Sequence, residues 1–233
     1  LLDNGGERLT VVNHAGGVIQ SVRYNDEGQW PVGPDGTGHT LVLKRVHLDP
    51  SEPENWTSSP ELGGSPGRPN FSETGPPEPE NHARFNELFR GDGSDDGWVE
   101  LFTPGCTKLE LGGLAVTEDP TRTDKYTISE GTTLEPGAFL VLRESDTSLR
   151  LSTAKVQLFL LDPDGGVVSA AAFDRVFPPD AALASYSEAR YPDGSEVLWV
   201  TDQPTPGAAN VVTRVTDIVI NELFYNPPED RTG

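Results

Sequence analysis

The sequence predicts an all-β protein built of antiparallel β-sandwiches in tandem, one copy complete and two partial, and three observations carry that expectation. Glycine and proline, 25 and 21 residues, make up about a fifth of the 233-residue chain, which leaves few windows for an unbroken helix of ordinary length. Apolar residues come in short runs rich in β-branched and aromatic types, each bounded by Gly, Pro, Asp or Asn. That is the pattern of short strands joined by tight turns. Landmarks also recur at a period of about 140 residues, long for a solenoid unit and suited to a whole domain.

Three pairs of segments define the period. Asn-Glu-Leu-Phe stands in "FNELFRG" from Phe85 and again in "INELFYN" from Ile220, 135 positions later. "LTVVNHAGGVIQSVRY" from Leu9 lies without a gap over "LFLLDPDGGVVSAAAF" from Leu158, an offset of 149. "NWTSSPELGGSPGRPN", ending at Asn70, resembles "LWVTDQPTPGAAN", ending at Asn210, an offset of 140. On this reading residues 1–70 are the C-terminal half of one copy and 83–210 a complete copy. Residues 71–82, "FSETGPPEPENH", form a Pro- and Glu-rich linker with little to bury. Residues 211–216 are a shorter join, and 217–233 open a third copy. The chain is therefore expected to be a piece of a longer one, and the first copy is expected to show an unpaired sheet edge.

Taken in order, the complete copy offers "ARFNELF", "GWVELFTP", "LAVTED", "KYTIS", "AFLVLRE", "KVQLFLLD" and "VVSAAAFD" as strands. The longest window without Gly or Pro, Ala138 to Asp162, is read as two of these strands around a polar stretch, not as one helix. "DPDGG" at Asp162 to Gly166 lies between apolar runs and carries residues that tolerate positive φ, so it predicts a hairpin turn, as does "NHAGG" at Asn13 to Gly17. "PDAALASYSEARYPD" is the one stretch with helical propensity, limited by Pro at both ends to a turn or two.

"INELFYNPP", "GWVELFTPG", "LELGGLAVTED", "ISEGTTLEPGAFLVL", "RYPDG" and the closing "PTPGAAN" together resemble the lamin-tail domain in its bacterial, exported, tandem-repeat form. The likeness spans the complete copy, and the flanking pieces match its beginning and its end. It implies an immunoglobulin-like β-sandwich, a secreted or cell-surface location, and a non-catalytic module used as a spacer or for binding and adhesion. The alternative it implies is an accessory module of a multidomain enzyme, kinase-like or nuclease, whose catalytic domain lies outside this chain. Leu114 stands where the family usually carries Trp, and the rod and nuclear signal of nuclear lamins have no counterpart here.

Charge narrows the partners. With 37 Asp and Glu against 17 Lys and Arg the formal charge is −20, a surface that repels phosphate backbones, so nucleic acid is not expected. The longest apolar run, "LFLL", is far shorter than the roughly 20 residues of a membrane span. Expected partners are other domains of the same chain and protein or carbohydrate ligands. One cysteine, Cys106, makes no internal disulfide.

No catalytic residue and no bound cofactor are expected. "GGSPG" at Gly63 to Gly67 has the Gly-x-Ser-x-Gly form, but Pro66 follows Ser65 directly, whereas a nucleophile elbow runs from a strand into a helix. The histidines (His14, His39, His47, His82) lie outside 83–210 and show no metal-ligand spacing. The metal candidate is Ca²⁺, at the loop "GDGSDDGWVE", where Asp92, Asp95 and Asp96 offer hard oxygen ligands without the spacing of an EF-hand. Glu87 and Glu100, in "NEL" and "VEL", are expected either to point away from the core by strand alternation or, for Glu87, to accept backbone hydrogen bonds at a sheet edge.

Overall fold

The computed structural model describes residues 2–26, 28–71, 82–91, 96–153, 155–174 and 186–213. Two hairpins come first, β1 (Arg8–Val12) with β2 (Val18–Arg23), and β3 (Leu41–Leu43) with β4 (Trp56–Ser58). They are followed by β5 (Arg84–Phe89), β6 (Trp98–Phe102), β7 (Leu109–Glu110), β8 (Ala115–Thr117), β9 (Tyr126–Thr127) and β10 (Thr133–Leu134). Then come β11 (Phe139–Arg143), the one-turn helix α1 (Glu144–Thr147), β12 (Val156–Leu161), β13 (Val167–Phe173), β14 (Ser187–Arg190) and β15 (Leu198–Thr201).

From β5 onward the strands make an antiparallel β-sandwich. One sheet has five strands in the order β11-β6-β5-β14-β15 and the other four in the order β13-β12-β8-β9, with β7 and β10 as a separate two-stranded ribbon. Phe85, Leu88, Val99, Leu101 and Leu142 of the first sheet meet Val116, Leu158, Leu160, Ala171 and Phe173 of the second in one buried cluster. Burying each large apolar side chain there contributes on the order of 1.5–3 kcal/mol. Leu114 packs against the same cluster.

Strand β12 explains its own unbroken apolar run. Leu158 and Leu160 face the core between the sheets, while Phe159 and Leu161 face the other way and are covered with Val32 and Ala115 in a second cluster. The loop that carries Val32 is also tied down by Gln157 Nε2 donating to Asp35 Oδ2 at 3.2 Å. Both faces of β12 are thus buried, so alternation is absent from "VQLFLL".

The hairpin β1–β2 repeats β12–β13 position for position. Arg8 pairs with Arg23 and Val11 with Gln20, as Gln157 pairs with Ala172 and Leu160 with Ser169, and a bulge follows at Val11/Val12 as at Leu160/Leu161. The turns agree as well. Asn13 Oδ1 accepts from the N–H groups of Ala15 and Gly17, and Asp162 Oδ1 accepts from those of Asp164 and Gly166. Gly16 and Gly165 sit at φ 82° and 87°, where a side chain is strained. The surroundings differ. Val11, Val12, Val18 and Ile19 are more than half exposed, whereas Leu160 and Leu161 are buried.

The window Ala138 to Asp162 holds β11 and β12, as expected, with α1 between them. One expectation is corrected: "SEAR" within the stretch read as helical is strand β14, between β5 and β15 in the five-stranded sheet. Glu188 and Ala189 have helical propensity, but both are fully buried in that sheet, and tertiary packing overrides local preference. The first part of that stretch, residues 179–185, lies outside the described residues, as do the linker 72–81 and the piece 214–233.

Candidate functional site

The densest polar arrangement is a buried pair of glutamates on the face of the five-stranded sheet that turns away from the main core. A bulge at Asn86 resets the alternation of β5 and puts Glu87 directly opposite Glu100 of β6. Both side chains are fully buried. Two like charges facing each other across a strand pair repel, so each needs donors, and the loop after β15 brings them. Thr205 N–H donates to both oxygens of Glu87 at 3.2 Å, and Thr205 Oγ1 lies 3.0 Å from Glu87 Oε2. Ser187 Oγ donates to Glu87 Oε1. Glu100 accepts from Asn86 Nδ2 at 3.0 Å and from Gly207 N–H at 2.7 Å.

The turn between β14 and β15 closes the arrangement. Asn86 Nδ2 also donates to Asp193 Oδ1 at 2.9 Å, and Asn86 Oδ1 accepts from Gly194 N–H at 2.9 Å. Asn210 Nδ2 donates to the carbonyl of Arg190 at 2.9 Å, and Arg190 Nε donates to the carbonyl of Phe85 at 2.7 Å. Burial raises both glutamates above the usual carboxylate range. Glu100 is pushed up to about 7, since loss of solvent, the Glu87 charge and Asp193 outweigh the bonds from Asn86 and Gly207. Glu87 moves in the same direction, again chiefly through burial, against its bonds from Ser187 and Thr205. Arg190 is lowered to about 10 by burial.

Both expectations for Glu87 therefore hold in modified form. It points away from the main core and accepts a backbone hydrogen bond, yet β5 is an inner strand and not an edge. What the arrangement can do chemically is hold a loop: among the described residues the donors to the two carboxylates belong to the closing loop, β5 and β14. A second buried charge pair was not legible in the sequence. Arg90 Nη2 meets Glu188 Oε1 with both side chains fully buried, and Arg90 also donates to the carbonyls of Thr153 and Phe173 at 2.8 Å. The signal for it was a charge at the end of one apolar strand and another inside "SEAR".

The other candidates fall into separate places. Asp96 accepts from Ser145 N–H at 3.0 Å and from Ser145 Oγ at 2.6 Å, which caps the first turn of α1. Asp92 and Asp95 lie outside the described residues, and among the described residues no group of three His, Cys, Asp or Glu side chains is placed to hold a metal. Ser65 Oγ donates within its own loop, to Asn70 Oδ1 at 2.8 Å. That is the bond Thr205 makes with Asn210 at 3.0 Å. His14, His47 and His82 are exposed and His39 is buried against the Ser59 carbonyl at 2.7 Å. Cys106 is exposed.

An open groove of about 450 Å³ lies beside Trp30, with Asn25, Gln29, Pro53 and Asp174 on its walls. Trp30 is itself held by Trp56, ring centroids 5.9 Å apart. No helix among the described residues is long and apolar enough to cross a membrane.

Fold and site together define an antiparallel β-sandwich whose closing loop is anchored on buried glutamates. No family model, curated protein or solved structure matches the chain.

Proposed function

We propose that the chain is a non-catalytic repeat segment of a large exported bacterial protein, related to lamin-tail domains and serving as a spacer or as a binding and adhesion module. One observation carries the reading. The polar residues that recur between the two pieces, Asn13 with Asp162 and Ser65-Gly67-Asn70 with Thr205-Gly207-Asn210, all build turns and loops. Shared polar side chains that build turns and loops, and not a cleft, fit a scaffold. The Trp30 groove supplies an aromatic face beside side-chain amides, the combination that stacks on and hydrogen-bonds to a sugar ring.

Calorimetry and binding test the reading. Residues 83–210 alone are expected to unfold in one cooperative transition, unchanged between excess Ca²⁺ and chelator if the Asp92 to Asp96 loop is structural only, since a ligand of the native state raises its stability. The full chain is expected to retain on immobilised polysaccharide and to lose retention in Trp30→Ala. A hydrolytic or transfer activity abolished by Glu100→Gln would overturn the non-catalytic assignment.

A further inference from the structure

The hydrogen bonds around Glu87 and Glu100 can be assigned donor by donor. Glu100 meets an N–H group at each oxygen, Asn86 Nδ2 at Oε1 and Gly207 N–H at Oε2, so both of its oxygens accept. Glu87 Oε1 also accepts, from Ser187 Oγ and from Thr205 N–H. Glu87 Oε2 is different. The hydroxyl beside it, Thr205 Oγ1 at 3.0 Å, lies at the same 3.0 Å from Asn210 Oδ1. The Asn210 amide is oriented by its Nδ2, which donates to the Arg190 carbonyl at 2.9 Å, so Oδ1 is an acceptor. One threonine hydroxyl has one hydrogen and cannot fully satisfy two acceptors. A proton on Glu87 Oε2 completes the set: Glu87 donates to Thr205 Oγ1, and Thr205 Oγ1 donates to Asn210 Oδ1.

The charges around the pair call for the same proton. Two fully buried carboxyls face each other across β5 and β6, and Asp193 of the β14–β15 turn adds a third acid bonded to Asn86. The cations of the neighbouring elements are engaged elsewhere. Arg190 of β14 donates to the carbonyls of Phe85 and Ser195 at 2.7 and 2.6 Å, and Arg84 of β5 binds the Gly194 carbonyl and Glu196. Arg90 and Glu188 pair with each other. Neither β15 nor Thr205–Asn210 carries a charged residue, and among the described residues neither glutamate enters a salt bridge. Buried like charges without a cation do not both ionise, and two carboxyls this closely coupled titrate as a unit. The upward shift of both has that origin.

We infer that Glu87 is a protonated acid whose Oε2 hydrogen is donated to Thr205 Oγ1, and that this one proton latches the closing loop to the sheet and releases the loop as pH rises. Thr205 and Gly207 lie beyond β15, the last described strand. Release therefore frees the chain's exit from the sandwich and leaves every strand pair intact.

Amide substitution and hydrogen exchange in the full chain test it. Glu87→Gln can place an amide N–H where the acid O–H stood, whereas Glu100→Gln turns an N–H toward Asn86 Nδ2 or Gly207 N–H, both donors. Protection of the Thr205 and Gly207 amides, corrected for intrinsic exchange, is expected to fall by nearly tenfold per pH unit between about pH 5 and 7 and to level off above, since opening returns a carboxyl from about 7 to its ordinary 4.5 and sheds its proton. In Glu87→Gln the protection at pH 5 is expected to stay within about threefold of the unaltered chain and the slope to flatten. In Glu100→Gln it is expected to drop at least about tenfold at pH 5, the effect of an unsatisfied buried donor. An equal loss in the two variants, or pH-independent protection in the unaltered chain, would overturn the latch. Should either variant fail to fold, carbon NMR of the Glu87 carboxyl in the unaltered chain decides: an acid resonance at pH 6 that moves to the carboxylate position at higher pH is expected, and a carboxylate resonance at pH 6 rules the proton out.

Discussion

Glu100 is held well above the range where a glutamate normally titrates, and that makes the sandwich sensitive to pH in a defined direction. Its folded value near 7 exceeds the ordinary value of 4.5, so the folded state binds this proton more tightly than the unfolded chain does. The stability it contributes is fully present below about pH 4.5 and is lost as pH rises through 7, on the order of 3 kcal/mol across the window. Melting temperature is therefore expected to fall between pH 5.5 and 8, and the slope to flatten in Glu100→Gln. Arg90 makes a different prediction. Arg90→Ala leaves Glu188 charged and buried, which costs roughly 3–5 kcal/mol. The double variant Arg90→Met with Glu188→Leu is expected to recover part of that loss in urea denaturation, because apolar residues replace a buried pair at little cost while the Thr153 and Phe173 carbonyls still lose the donor that Arg90 supplied.

At the scale of elements, the hairpin turns allow a controlled comparison. Gly16 and Gly165 share positive φ and both have open space where a Cβ would point, so alanine at either site introduces backbone strain without a clash, about 1 kcal/mol. Gly165→Ala is expected to lower the midpoint of the main unfolding transition, while Gly16→Ala, in a hairpin with exposed apolar faces, is expected to leave that transition in place. The turns and the strands named within residues 83–210 were legible in the sequence because their signals are local: apolar runs, then Asp and Gly at fixed offsets. Strand β14 was not, because Ala189 and Glu188 owe their conformation to β5 and Arg90, residues about a hundred positions away. The glutamate pair was half legible. "NEL" and "VEL" marked the residues, but only the bulge at Asn86 sets them opposite each other, and the loop that satisfies them lies more than a hundred residues further on.

For the whole molecule, the two pieces are not independent. Val32 is buried with Phe159 and Leu161 on the outer face of the four-stranded sheet, and Asp35 receives Gln157 beside it. Val32→Asp would put an unpaired charge among apolar side chains. Hydrogen exchange is expected to quicken in the loop around Val32 and in β12, with the glutamate pair and the strands of the five-stranded sheet unaffected. That small apolar seat also bears on mechanics. Beads on a flexible string swivel at every junction and lengthen under slight tension. Here the loop before β3 rests against the flank of the sandwich, so tilting that segment away means peeling Val32 off Phe159 in water. A chain braced in this way resists bending at that joint and yields to pulling in steps, behaving as a jointed strut and not as a slack tether.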